Sequence, residues 1–141
     1  MFQHILLPTD GTDFSLKAVD VGVALAARLG ARIYAFHVIE PYFETILQLS
    51  EDSYNEEMVA HARDCLAQVC RRAQAAGVRS ESCFVFNDHP YRAIVATTVE
   101  QGCDLVVMAS HGRRGLDGLL MGSETHKVIL QGSVPVLVCH P

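Results

Sequence analysis

Apolar residues recur along this chain in two rhythms that take turns from end to end. Short, nearly continuous apolar runs at Ile5-Leu6-Leu7, Arg32–Val38, Ser82–Phe86, Leu105–Ala109 and Val134–Cys139 have the length of buried strands. Between them lie stretches with helical spacing. Asp13 or Ser15 can cap a helix running to about Leu29, with Gly30 as its stop. From Glu51 to Ala76, the apolar positions Met58, Ala62, Leu66, Val69 and Ala73 step by four and three, and Gly77 follows. Pro90 opens a third helix at its permissive first turn, with Ile94, Val95 and Val99 facing inward and Gly102 closing it. A fourth helix starts near Ser123 and covers Glu124 to Gln131. The segment Glu40–Ser50, which carries Pro41, has no clear pattern.

Strands that alternate with helices predict an α/β fold: an open, doubly wound, five-stranded parallel sheet with helices on both faces. Right-handed crossovers and short connections favour the strand order 3-2-1-4-5, whose switch point lies between strands one and four. Ligands of such sheets sit there, beyond the carboxyl ends of the strands. The loop after strand one is Pro8-Thr9-Asp10-Gly11-Thr12-Asp13, and the loop after strand four is Ser110 to Gly122. These are the two most polar, glycine-bearing turns of the chain, and the topology sets them side by side.

The second loop reads Ser110-His111-Gly112-Arg113-Arg114-Gly115-Leu116-Asp117-Gly118-Leu119-Leu120-Met121-Gly122-Ser123. A strand that feeds a glycine-rich, arginine-bearing loop into a helix N-terminus is suited to phosphate, because unpaired N–H groups and the positive end of the helix dipole face the anion. Gly112, the N–H groups of Gly122 and Ser123, the Ser123 hydroxyl and the Arg113 charge are the candidates. The alternative is a tight turn that Ser123 merely caps. Neither G-x-x-x-x-G-K-[ST] nor G-x-G-x-x-G occurs, so ordinary P-loop and dinucleotide-binding readings do not apply. Asp10 can accept hydrogen bonds from a ribose or adenine or help hold a divalent cation; equally, it can close an Asx-turn or cap the first helix. His111 lies within reach of phosphates, but no carboxylate is placed by sequence to orient it as a base.

Composition narrows the classes. The 141 residues are 50% hydrophobic with mean hydropathy +0.20, enough for a core and most simply for one domain spanning 1–141. A net charge of −5 argues against general nucleic-acid binding, and no apolar run approaches a membrane span. Met1 to Ile5 runs directly into a strand, which is read as leaving no room for a secretory leader. The 5 cysteines are scattered without C-x-x-C, as expected of reduced thiols in a cytoplasmic protein. The 7 histidines are expected at the surface, and no metal-ligand spacing is present. Val134, Val136, Leu137 and Val138 are too apolar for an open sheet edge, and Pro135 is tolerated only at an edge. A homodimer through strand 134–139 follows as an expectation.

These residues resemble the universal stress protein family over essentially the whole chain. Ile5-Leu6-Leu7-Pro8-Thr9-Asp10 is similar to its first strand and turn, Phe36-His37-Val38 to its second strand end, and Gly132-Ser133-Val134-Pro135-Val136-Leu137-Val138 to its last strand. Gly112, nine further residues and then Gly122-Ser123 match the spacing of its nucleotide-binding branch, while Ala109 stands where that branch often has glycine. The resemblance implies that Pro8, Thr9 and Asp10 line an adenosine pocket, that Val38 meets adenine through its backbone, and that Met108 and Ala109 border the same pocket. It implies that Ser110, Gly112, Arg113, Gly122, Ser123 and Thr125 surround ribose and the phosphates of ATP, with Mg2+ or Mn2+ on the phosphates. The role implied is a cytoplasmic regulatory protein of the stress response with weak or no hydrolysis, an unknown regulatory protein as partner and dimerisation through strand five. Two other readings stay open: a slow ATPase or phosphotransferase using His111 or Asp117, and a nucleotide-free dimeric interaction module.

Overall fold

The computed structural model describes residues 1–41, 51–111 and 121–141, with Glu51 and Asp52 described by backbone alone. Residues 42–50 of the patternless segment therefore lie outside the described residues. Strands β1 (His4–Pro8), β2 (Arg32–Ile39), β3 (Ser80–Phe86), β4 (Leu105–Ala109) and β5 (Val136–Cys139) alternate with helices α1 (Asp13–Leu29), α2 (Glu51–Ala75), α3 (Pro90–Glu100) and α4 (Ser123–Gln131). The sheet runs β3-β2-β1-β4-β5 and every pairing is parallel, as the alternation predicts.

Strand periodicity decides which helix covers which face. Ile5 and Leu7 of β1, Ile33 and Ala35 of β2, and Leu105 and Val107 of β4 point into one cluster with Val19, Val23 and Ala26 of α1 and Leu66, Val69 and Ala73 of α2. The intervening residues Leu6, Tyr34, Phe36, Val106 and Met108 point into a second cluster with Tyr91, Ala93 and Ile94 of α3 and Val128 of α4. Central strands buried on both sides read as continuous apolar runs for this reason.

Of the boundaries that differ from expectation, three have a visible physical reason. The cap of α1 is Thr12, whose hydroxyl accepts from the Ser15 N–H at 3.2 Å, rather than Asp13 or Ser15. β3 begins at Ser80, because its pairing with β2 extends back to Ile33. β5 begins at Val136 rather than Val134: proline has no N–H for the ladder, and Pro135 contributes only its carbonyl, which accepts from Val106 N at 3.0 Å. Gly30 ends α1 in the left-handed region at φ 66°, as its position suggests.

Gly22 in mid-helix serves a close approach. A Cβ there would stand 2.3 Å from Leu7 Cδ2, and Leu7 is fully buried. Gly22→Val is expected to cost about 1–3 kcal/mol through overpacking, more than its helix propensity returns. Thermal unfolding measures it, and a parent-like Tm would mean that α1 can lift from β1 freely.

His4 is buried with Nδ1 3.1 Å from Gln101 O. Burial, followed by the Arg32 charge, holds its imidazole below the ordinary 6.5. Above that value the ring is neutral in both folded and unfolded chains. As pH falls below it, the unfolded chain takes the proton first, so stability drops until the folded-state pKa is passed. Denaturant titrations of His4→Gln between about pH 7 and 5 should show a shallower loss of stability than the parent; equal slopes would assign the acid sensitivity elsewhere.

Candidate functional site

β1 and β4 lie side by side at the centre of the sheet, in register Ile5↔Leu105 and Leu6↔Val106. Beyond their carboxyl ends the chain leaves in two directions, since α1 covers one face and α4 the other. The carboxyl ends of β1 and β4 are therefore the switch point expected from the sequence.

On the β1 side, Pro8 ends the strand and Thr9 extends it by one bond, Thr9 N donating to Phe36 O at 2.9 Å. Thr9 is buried, and its hydroxyl is hydrogen-bonded to the Ser15 hydroxyl at 2.9 Å and accepts from Gly11 N at 3.2 Å. Asp10 Oδ1 accepts from Thr12 N at 2.9 Å and Thr12 Oγ1 at 2.6 Å. The Asp10 carboxylate thus closes the Asx-turn that sequence offered as one of its two roles. Gly11 takes φ +82°, and a Cβ on it would meet Cys65 Sγ at 2.6 Å, so only glycine fits this bend.

On the β4 side, Met108, Ala109 and Ser110 are all buried. Ser110 is held three ways: its N–H donates to Cys139 O at 2.9 Å, its carbonyl accepts from Gly122 N at 2.7 Å, and its hydroxyl lies 2.9 Å from His111 Nδ1. The Gly122 N–H, expected to face an anion, is therefore spent on the end of β4. Thr125 is buried and donates its hydroxyl proton to Ala109 O at 2.9 Å, so its side chain ties α4 to β4 rather than opening into the crevice. Ser123 is exposed at the first position of α4. The N–H groups of Ser123, Glu124 and Thr125 have no carbonyl within the helix to bond, as at every helix start. Gly112 and Arg113 lie outside the described residues, as does Asp117.

An apolar wall connects the two sides. Val38 packs against the cluster that holds Leu6, Phe36 and Met108. Strand alternation turns the main chain of Val38 toward the β1 side, as it does for Phe36, but past the point where β1 ends. The structure thus brings together Pro8, Thr9, Asp10, Val38, Met108, Ala109, Ser110, Gly122, Ser123 and Thr125 around one end of the sheet.

Beneath the β1 loop is a group that sequence reading passed over. His37 Nδ1 donates to Thr9 O at 2.7 Å, His61 Nε2 lies 3.4 Å from Asp10 O and 3.4 Å from Cys65 Sγ, and the two imidazoles meet edge to face at 5.7 Å. The i, i+4 spacing of His61 and Cys65 on α2 was the available signal. The expectation of surface histidines fails for His4, His37 and His111, which are buried. Each has a backbone or hydroxyl partner within 3.1 Å, which offsets the cost of leaving water. All five cysteines are free thiols, and burial pushes Cys103 up to about 11. Among the described residues no group of 3 or more His, Cys, Asp or Glu could hold a metal ion, and no helix is long and apolar enough to cross a membrane.

The universal stress protein family model matches residues 1–140. The universal stress protein YxiE of Bacillus subtilis is 30% identical over 98% of this chain and 99% of its own. A universal stress protein of Thermus aquaticus is 30% identical over 98% of both chains. Among solved structures, the MJ0577 protein of Methanocaldococcus jannaschii superposes with TM-score 0.85 at 25% identity, covering 98% of this chain and 95% of that one. A universal stress protein in complex with cAMP superposes with TM-score 0.76 at 28% identity, covering 99% and 97%. Sequence match and strand order agree, and the chain belongs to the universal stress protein family.

Proposed function

We propose that this chain is an adenine-nucleotide-binding regulatory protein of the stress response, acting as one domain over residues 1–141 in the cytoplasm. ATP is held in the crevice between the loops after β1 and β4. The observation that carries the reading is the start of α4: three N–H groups without helical partners, on a turn bound to the end of β4 through Gly122 N and Thr125 Oγ1. Such a turn accepts phosphate through its dipole and its N–H groups. The spacing from Gly112 to Gly122-Ser123 and the relative in complex with cAMP support it.

In this reading Ser123 and the first-turn N–H groups meet phosphate, with Gly112 and Arg113 completing the cradle. Pro8, Thr9 and Asp10 face adenosine, while Val38, Met108 and Ala109 form its apolar wall. Ser110 and Thr125 hold the turn in place. Mg2+ or Mn2+ would ride on the phosphates and screen their mutual repulsion.

Calorimetric titration of nucleotide-stripped protein with Mg-ATP is expected to give saturable heat. Gly122→Val should abolish it by placing a branched side chain in the phosphate approach. Gly122 has φ −60° and ψ 147°, which valine adopts readily, so the variant should keep its fold. No heat from the parent at millimolar ATP, or an unchanged affinity in a folded Gly122→Val, would sink the proposal.

The same reading includes a homodimer through the β5 edge. Leu137 is 40% exposed there, and α4, which contacts β5, leaves Ile129 and Leu130 exposed. An unpaired apolar edge is a template for a second chain. Val136 and Val138 are half-buried in their own fold, so Leu137 is the residue to charge. Leu137→Glu should release monomer by light scattering from a dimeric parent. A parent that runs as a 15.4 kDa monomer would remove the interface.

A further inference from the structure

α3 begins without a cap of its own. His89, at the N-cap, makes no side-chain capping bond. Pro90 has no N–H to give, so Tyr91 carries the first donor of the helix. That donor is satisfied from another helix: Glu124 Oε2 accepts from Tyr91 N at 2.8 Å. Glu124 is also the acidic residue in the first turn of α4. One carboxylate therefore lies at the positive ends of two helix dipoles, where it stabilises both. Tyr91 is itself fixed. Lys127 Nζ of α4 stands 5.1 Å above its ring, Arg92 lies 5.7 Å from the same ring, and Arg92 Nε donates to the Tyr91 hydroxyl at 3.0 Å. Tyr91, in turn, is buried in the core cluster against the sheet.

We infer that Glu124 is a positioning residue for the nucleotide site, holding the first turn of α4 in place by capping α3 in trans. The inference rests on the phosphate reading of that turn. Two bonds tie the turn to β4, Gly122 N to Ser110 O and Thr125 Oγ1 to Ala109 O. Both anchors lie along one strand end. The Glu124 bond adds an anchor on a different element, and together the three restrain the turn against rotating about β4. The same carboxylate carries negative charge on the turn that would receive phosphate. Anchoring the turn and repelling phosphate act on nucleotide affinity in opposite directions, and the neutral isostere separates them.

Glu124→Gln keeps an oxygen that can accept from Tyr91 N and loses the charge; Glu124→Ala loses both. Calorimetry with Mg-ATP is expected to show Glu124→Gln close to the parent and Glu124→Ala weaker by about tenfold, the size of one net hydrogen bond that either acceptor can make. Tighter binding in both variants would mean that the carboxylate acts by repelling phosphate. Equal weakening in both would mean that its charge matters and its geometry does not. Unchanged affinity in Glu124→Ala would mean that the turn needs no third anchor. Any of these overturns the inference. Hydrogen exchange without nucleotide supplies the independent readout. The amides of Tyr91, Gly122 and His126 should exchange faster in Glu124→Ala than in Glu124→Gln or the parent. Unchanged exchange defeats the positioning role even if affinities move. Absence of ATP binding by the parent defeats the nucleotide reading, while the exchange result still decides whether Glu124 holds the turn.

Discussion

The central constraint is that β1 is bordered on both edges and covered on both faces. Its five residues pair with β2 along their whole length and with β4 at Ile5 and Leu6. Ile5, Leu6 and Leu7 have no exposed surface at all. A strand so placed cannot shift register by one residue without exchanging Leu6 for its neighbours across the sheet. Everything that follows in the chain is measured from it. α1 lies on β1 closely enough that Gly22 is needed opposite Leu7. The loop at Thr9–Thr12 leaves from its carboxyl end and the loop at Ser110 from that of its neighbour.

The described residues at the carboxyl ends of β1 and β4 are tied together by hydrogen bonds. On one wall, hydroxyls and the Asp10 carboxylate satisfy the loop's backbone internally through Thr9, Thr12 and Ser15. His37 closes the carbonyl of Thr9 from below. On the other wall, Ser110 and Thr125 bind α4 to the strand it follows, while Glu124 binds it to α3. Backbone groups that are paired in this way are held in one direction by their partners. The groups without partners in the helix, at the start of α4, are those suited to an anion.

Polar groups inside the fold follow the same rule. His4, His37, Ser110, His111 and Thr125 are buried, yet each has a hydrogen-bond partner. Among the described residues no buried side-chain nitrogen or oxygen lacks one. Composition counts histidines but does not tell whether a carbonyl waits for them, and so the sequence pattern placed them outside.

The sequence by itself determined the element order and, through it, the topology. Continuous apolar runs separated by helical spacing leave a parallel sheet as the arrangement that buries both, and handed crossovers then restrict the strand order. It also pointed to the two loops, because glycine and polar residues gather where strands hand over to helices. What only the tertiary structure decided was the use of individual atoms. Gly122 belongs to the glycine-loop motif and Thr125 to the phosphate surroundings that the resemblance implies, but their N–H and hydroxyl serve the end of β4. Pro135 lies in an apolar run but gives the ladder only its carbonyl. Tyr91 and Glu124 are 33 residues apart and meet only because α3 and α4 share a face of the sheet. Spacing along a chain reports which face a residue occupies, since that depends on local helix or strand geometry. A hydrogen-bond partner from another element depends on how the elements are packed, and no local pattern encodes that.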